Sequence, residues 1–199
     1  MNPMKKLLIF LLFSTMTFAQ KDLSSAEKFQ TELNKSYADS LKSPLMKEDL
    51  KHFQGLDFFS LNEKFIVEAT FIRTKKEKPF GMKTTTSRTP LYKKYGELHF
   101  EIDGKALKLN VYQNVDLNKK PGYEDYLFLP FSDLTCGKES YIGGRYVDMR
   151  IQKGKTWTID FNKAYNPYCA YNYEYSCPIV PLENDLNIEI LAGVKKFHD

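Results

Sequence analysis

The stretch at residues 97–110, ELHFEIDGKALKLN, decides the fold class. Leu98 and Phe100 alternate with polar neighbours before Asp103-Gly104, and Leu107 and Leu109 alternate after it. Asp-Gly suits a two-residue type I′ turn, whose two central residues both take positive φ. Such a turn pairs Phe100 with Leu107 and Leu98 with Leu109. Successive strand side chains point to opposite faces, so all four apolar residues share one face. Turn chemistry and hydrophobic register therefore agree on a β-hairpin, with His99 on the polar face opposite Lys108.

Outward from this hairpin the period-two pattern continues. Phe65, Val67, Ala69 and Phe71 alternate upstream, and further strands are expected at Tyr126–Phe131 and Leu186–Leu191. A second hairpin is expected between Gly144 and Asn162. A three-residue loop of Gln152, Lys153 and Gly154 would pair Met149 with Trp157 and Val147 with Ile159, with Gly154 in the left-handed position. Its other face would carry Tyr146, Asp148, Arg150, Thr156, Thr158, Asp160 and Asn162. Ahead of the strands the period changes. Phe29, Leu33 and Tyr37, extended by Ala26, mark a helix over Ser24–Leu41 with Ser24 or Ser25 as cap, and a short second helix runs from Ser43-Pro44 to before Gly55. About eight strands at short spacing predict a mainly β fold, an antiparallel β-barrel or β-sandwich with one or two N-terminal helices. The helical segment at 20–60 and the β domain at 61–199 form one globular unit.

The chain's 199 residues fit one domain, and 13 Tyr and 15 Phe can furnish a sizeable core. Lys5 and Lys6, the apolar run Leu7–Phe13 and Thr17-Phe18-Ala19 form the pattern of a secretory signal peptide over residues 1–19. The run is shorter than the ~20 apolar residues a membrane span needs. The alternative is a retained anchor. With the leader removed, the mature chain is expected to have no transmembrane segment and to be exported, periplasmic or extracellular. Removal also takes two lysines, lowering the net charge from +4 to +2. That balance gives no basis for nucleic-acid binding, and the lysine runs at 75–78 and 93–94 read as solvated. Export puts Cys136, Cys169 and Cys177 in an oxidising space. Cys169 and Cys177 are eight apart across a Tyr-, Asn- and Pro-rich loop. They form a candidate disulfide, two unpaired thiols, or a redox pair, although the last lacks C-x-x-C spacing.

No phosphate loop, dinucleotide-binding glycine fingerprint, nucleophile elbow or H-E-x-x-H is present, and His52, His99 and His198 are far apart. No metal or cofactor is expected. The residues that could carry chemistry cluster late in the chain. The expected register sets Tyr146 opposite Asp160, with Asn162 on the same face, Arg145 after the flexible Gly143-Gly144, and Asp133, Glu139, Glu183 and Asn184 in nearby loops. Two of the carboxylates could serve as acid and base with Arg145 holding an anionic group, or they could cap turns. Arg88 closes the run Phe80–Arg88 and could grip a carboxylate or phosphate. Tyr165, Tyr168, Tyr171, Tyr173 and Tyr175 could line a pocket or pack the outside of the cysteine loop.

Three blocks, PFGMKTTTSR at 79–88, YLFLPFSDLTCGKESYIGGRYVD at 126–148 and DFNKAYNPYCAYNYEYSCPIVPLEN at 160–184, together resemble the bacterial and archaeal proteins grouped as domain of unknown function 1684. The resemblance runs from about Phe29 to Lys196. Matching positions are Arg145, Asp160, Asn162, Asn166, Pro167, Cys169, Cys177, Pro178, Glu183, Asn184 and Gly193. Cys136 and Val180 depart from the family pattern. The resemblance implies no activity. The leading expectation is therefore a small-molecule ligand held beside the β domain by Arg88, Arg145, Tyr146, Asp160, Asn162, Tyr168, Glu183 and Asn184. A hydrolase using Asp160 with Glu183 or Asp133 is the first alternative, and an envelope structural or interaction protein the second.

Overall fold

The computed structural model describes residues 21–198; the leader pattern at 1–19 lies outside them. Two helices, α1 (Ser24–Ala38) and α2 (Lys47–His52), precede seven strands. These are β1 (Ile66–Arg73), β2 (Phe80–Gly81), β3 (Leu91–Ile102), β4 (Lys105–Asn114), β5 (Tyr126–Phe131), β6 (Arg145–Arg150) and β7 (Thr156–Asp160). They form one antiparallel sheet of order β6-β5-β4-β3-β1-β7, with β2 added beside β3. The sheet curls into a half-barrel. Among the described residues no helix is long and apolar enough to cross a membrane.

The Asp-Gly hairpin forms as read. Leu98 faces Leu109 and Phe100 faces Leu107, and Asp103 and Gly104 take φ of 52° and 72°. Leu98, Leu109, Val111, Leu127, Leu129, Val147 and Ile159 belong to one buried cluster inside the curl.

The second expected hairpin does not form. β6 pairs with β5 over Arg145–Arg150, setting Met149 against Leu127 and Val147 against Leu129. β7 pairs with β1, setting Trp157 against Ala69 and Ile159 against Val67. Gly154 does take the expected positive φ of 80°, but its loop links the two outer strands of the sheet. Each strand thereby gains a full ladder with a distant partner. The Trp157 ring stacks on Phe71 at 3.7 Å between centroids, a contact that requires the β1 pairing.

Residues 186–191 form no ladder strand. Leu186, Ile188 and Ile190 fill the same core. The backbone ties are instead a few bonds to the 132–134 loop, such as Leu186 N–H to Ser132 O at 2.8 Å. The first helix ends at Ala38, earlier than expected, and Asp22 rather than a serine supports its start by accepting from the Ser24 N–H at 2.8 Å.

Candidate functional site

A groove of about 380 Å³ opens between α1, the outer face of β5 and β6, and the loop 165–178. Period two explains two of its walls. On β6, Val147 and Met149 point into the core, so Tyr146 and Asp148 point out. On β5, Leu127 and Leu129 point in, so Tyr126 and Phe128 point out, and Phe128 lies directly opposite Asp148. Helical period explains the third wall: Phe29, Leu33 and Tyr37 recur every four residues and line the groove from α1. The loop is brought in by a two-bond bridge between Tyr146 and Tyr165, with N–H to O distances of 2.9 and 3.0 Å. Tyr168, Ser176, Cys177 and Pro178 complete the rim.

The aromatic rings touch in series. Centroids lie 5.6 Å apart for Tyr92–Phe128, 4.7 Å for Phe128–Tyr146, 5.9 Å for Tyr146–Tyr165 and 6.4 Å for Phe29–Tyr165. Within this wall Asp148 is the charged lining residue. Its Oδ1 accepts the hydroxyls of both Tyr126 and Tyr165 at 2.7 Å. The six groove tyrosines, at 37, 92, 126, 146, 165 and 168, all have their pKa raised, chiefly because burial disfavours the phenolate. They remain neutral hydroxyls, and the Tyr146 hydroxyl is committed to the Pro178 carbonyl.

Of the residues expected at a site, three meet here. Tyr146 and Tyr168 line the groove. Arg88 stands beside the rim, its Nε and Nη2 donating to Ser176 Oγ and O at 3.1 and 2.7 Å. The other five lie elsewhere. Arg145 is fully buried with Asp133, at 2.7 Å, and donates to the carbonyls of Ile190, Ala192 and Val194. It pins the C-terminal segment and stands away from the groove mouth. Burial lowers its pKa, opposed by the Asp133 carboxylate. Its entry geometry depends on Gly144, at φ 83°, where a Cβ would come within 2.6 Å of the Phe131 carbonyl.

Asn162 and Asn184 are buried and act as substitute peptide groups. The Asn162 side chain accepts from the Asn62 N–H at 2.9 Å and donates to the Asn62 carbonyl at 3.0 Å. Asn184 does the same with Asn110, at 2.8 Å each way, and also donates to the Pro130 carbonyl at 2.6 Å. Asp160 caps a short turn, accepting from the N–H and side-chain amide of Asn162 at 3.1 and 3.0 Å. Glu183 lines a separate cavity with Glu77, Lys94 and Lys108. The carboxylates named for hydrolysis therefore share no cleft: Asp133 is enclosed by Arg145, Thr135 and the Ile190 N–H, Asp160 caps a turn, and Glu183 lies elsewhere. That removes the footing of the hydrolase alternative.

Cys169 and Cys177 are free thiols, so the candidate disulfide is not formed here. Cys177 Sγ accepts the Cys169 N–H at 3.2 Å. A hydrogen bond from the Cys177 thiol, with help from Tyr141, lowers the Cys169 pKa to about 6, and the same bond raises that of Cys177. Among the described residues no three His, Cys, Asp or Glu side chains converge as metal ligands.

Sequence reasoning put Asp148 on an outward face but did not select it, because its partners Tyr126 and Tyr165 come from a strand 22 residues earlier and a loop 17 residues later. The alternation that turns Tyr146 away from the core cluster was the available signal.

The model of the family described as "Protein of unknown function (DUF1684)" matches residues 51–195. No curated protein matches the chain. Among solved structures, the solution NMR structure of an uncharacterized protein of Haloarcula marismortui is similar, with 30% identity over 86% of this chain and 92% of that one and a TM-score of 0.68. The chain belongs to the DUF1684 family, and the groove's α1 wall precedes the matched residues.

Proposed function

We propose that this member of the DUF1684 family is a binding protein whose ligand is a small molecule held in the groove under α1. The observation that carries this is the continuous aromatic wall around one oriented carboxylate, Asp148. Ligand sites are typically concave, mostly apolar and a few hundred Å³, with a small number of placed polar groups. The groove's 380 Å³ falls within that range. Asn162, Asn184 and the Arg145–Asp133 pair serve the chain's own backbone and leave ligand contact to the groove side chains.

The same reading takes the protein as exported, on the signal-peptide pattern at 1–19. In an oxidising space a disulfide-bearing oxidant can take two electrons and two protons from Cys169 and Cys177 by thiol–disulfide exchange, leaving as two thiols and joining the two sulfurs, which fixes the loop that carries Tyr168 and Cys177.

Native mass spectrometry of protein purified from the cells that make it tests the reading. A retained small molecule, lost in Tyr168→Ala, is the expected result. Tyr168 is 45% exposed, so its truncation leaves the fold intact. A ligand-free protein, or a ligand retained equally by the variant and displaced by none of the groove changes, refutes it. The same spectrum reports the oxidised loop as a loss of two daltons.

A further inference from the structure

We propose that the groove selects an organic cation, with an alkylated ammonium group seated against the tyrosine faces and Asp148. This inference rests on the groove being a ligand site and adds the chemical class of the ligand.

Three observations carry it. First, Asp148 is exposed at the groove and is held by one oxygen only. Oδ1 takes both tyrosine hydroxyls, and Oδ2 has no hydrogen bond or ion pair with any described residue. The two donors fix the carboxylate's orientation and leave the second oxygen for a partner. Second, the neighbouring cations are committed elsewhere. Arg88 is bound to Ser176, and Arg150 donates to Asp125 and to the Gly122 carbonyl, both at 2.6 Å. Third, the walls are mostly aromatic, with Phe29, Tyr92, Tyr126, Phe128, Tyr146 and Tyr165 among them. Aromatic faces carry negative partial charge and attract ammonium groups within about 6 Å, more strongly where water is excluded.

Other ligand classes fit less well. An anion would meet the Asp148 carboxylate and find few donors, because the hydroxyls of Tyr126, Tyr165 and Tyr146 are already given to protein acceptors. A neutral apolar molecule would cover a carboxylate oxygen without replacing the water it displaces. A bare metal ion needs several ligating groups, and one carboxylate oxygen supplies too few.

The test uses the full chain and two probes of nearly equal shape: choline, and its neutral isostere 3,3-dimethylbutan-1-ol. Binding is read by amide chemical-shift perturbation, with acetate as the anionic control. The expected result is choline binding at least tenfold tighter than the isostere, with shifts at Tyr146, Asp148 and Tyr165, and no acetate binding. Asp148→Asn keeps an acceptor for the two hydroxyls and is expected to abolish the preference. Tyr168→Ala, at the exposed rim, is expected to weaken choline at least threefold more than the isostere and serves if Asp148→Asn fails to fold. An isostere that binds as tightly as choline overturns the cation assignment while the groove remains a ligand site. Choline shifts outside the groove, or none at all, also overturn it, and the mass measurement above then decides separately whether any ligand occupies the groove.

Discussion

Asp133→Asn isolates a buried charge with little change in volume. In the native fold the Asp133 and Arg145 side chains are 0% exposed and 2.7 Å apart. One Asp133 oxygen serves Arg145 and the Ile190 N–H at 3.0 Å; the other serves the Thr135 N–H at 3.0 Å and its hydroxyl at 2.5 Å. An amide can accept on one side only, so its NH₂ must meet one of these donor pairs. Leaving one member of a buried ion pair uncompensated costs about 3–5 kcal/mol. The stranded donors add to this, and an unsatisfied buried group costs roughly 1–3 kcal/mol. The carbonyls of Ile190, Ala192 and Val194 and the ring of Phe131, 5.2 Å from the guanidinium carbon, offset part of it. A net loss of about 4 kcal/mol is expected, a large share of the ~5–15 kcal/mol that stabilises a domain. With an m value near ~2 kcal/mol/M in urea, the midpoint falls by about 2 M. Urea unfolding followed by the fluorescence of Trp157, which is 1% exposed, measures it. A midpoint shift below about 0.5 M at unchanged m would show that the pair does not hold the C-terminal segment. In a double-mutant cycle with Arg145→Met, the double variant should lose less than the sum of the two single losses.

Asn184→Ala leaves the N–H and C=O of Asn110 and the Pro130 carbonyl without their buried partner and should cost roughly 2–4 kcal/mol, measurable by the same urea titration. In the reduced protein Cys169, with its pKa lowered to about 6, should react with iodoacetamide at pH 7 well before Cys136, whose pKa burial raises; peptide mapping of a short pulse checks the order. Glu97 has its pKa depressed to about 2, first by the Lys94 hydrogen bond, so its contribution to stability is present above the unfolded value near ~4.3 and is lost as pH falls towards 2. Glu97→Gln should therefore flatten the stability profile across that window, and a profile identical to wild type would rule this out.

The elements legible in the sequence were those coded by neighbours. Asp103-Gly104 set the turn and register of β3 and β4, and the four-residue recurrence of Phe29, Leu33 and Tyr37 marked the α1 face that became a groove wall. Tyr146 and Tyr168 were selected because outward tyrosines near a loop can serve a pocket. The β6–β7 hairpin misled for a physical reason. Its turn chemistry was sound, and Gly154 adopts the conformation required, but a turn constrains only the residues beside it. β6 pairs instead with β5 over six residue pairs and β7 with β1 over five, partners that lie beyond the reach of the turn. Arg145, Asn162 and Asn184 looked like ligand contacts because polar residues near a loop carry the same pattern whether they face a ligand or buried backbone.

Local chemistry alone thus settled the strand-rich class, the Asp-Gly hairpin, the amphipathic helix and the family. Each rests on residue spacing within about a dozen positions or on a contiguous motif. Tertiary structure decided which polar groups are buried and which face the groove. Burial turned Arg145, Asn162 and Asn184 into supports for the chain's own carbonyls and N–H groups. Long-range pairing brought Tyr126 and Tyr165 onto one oxygen of Asp148 and left the other open. Both outcomes depend on contacts between residues distant in sequence, where spacing carries no information about distance.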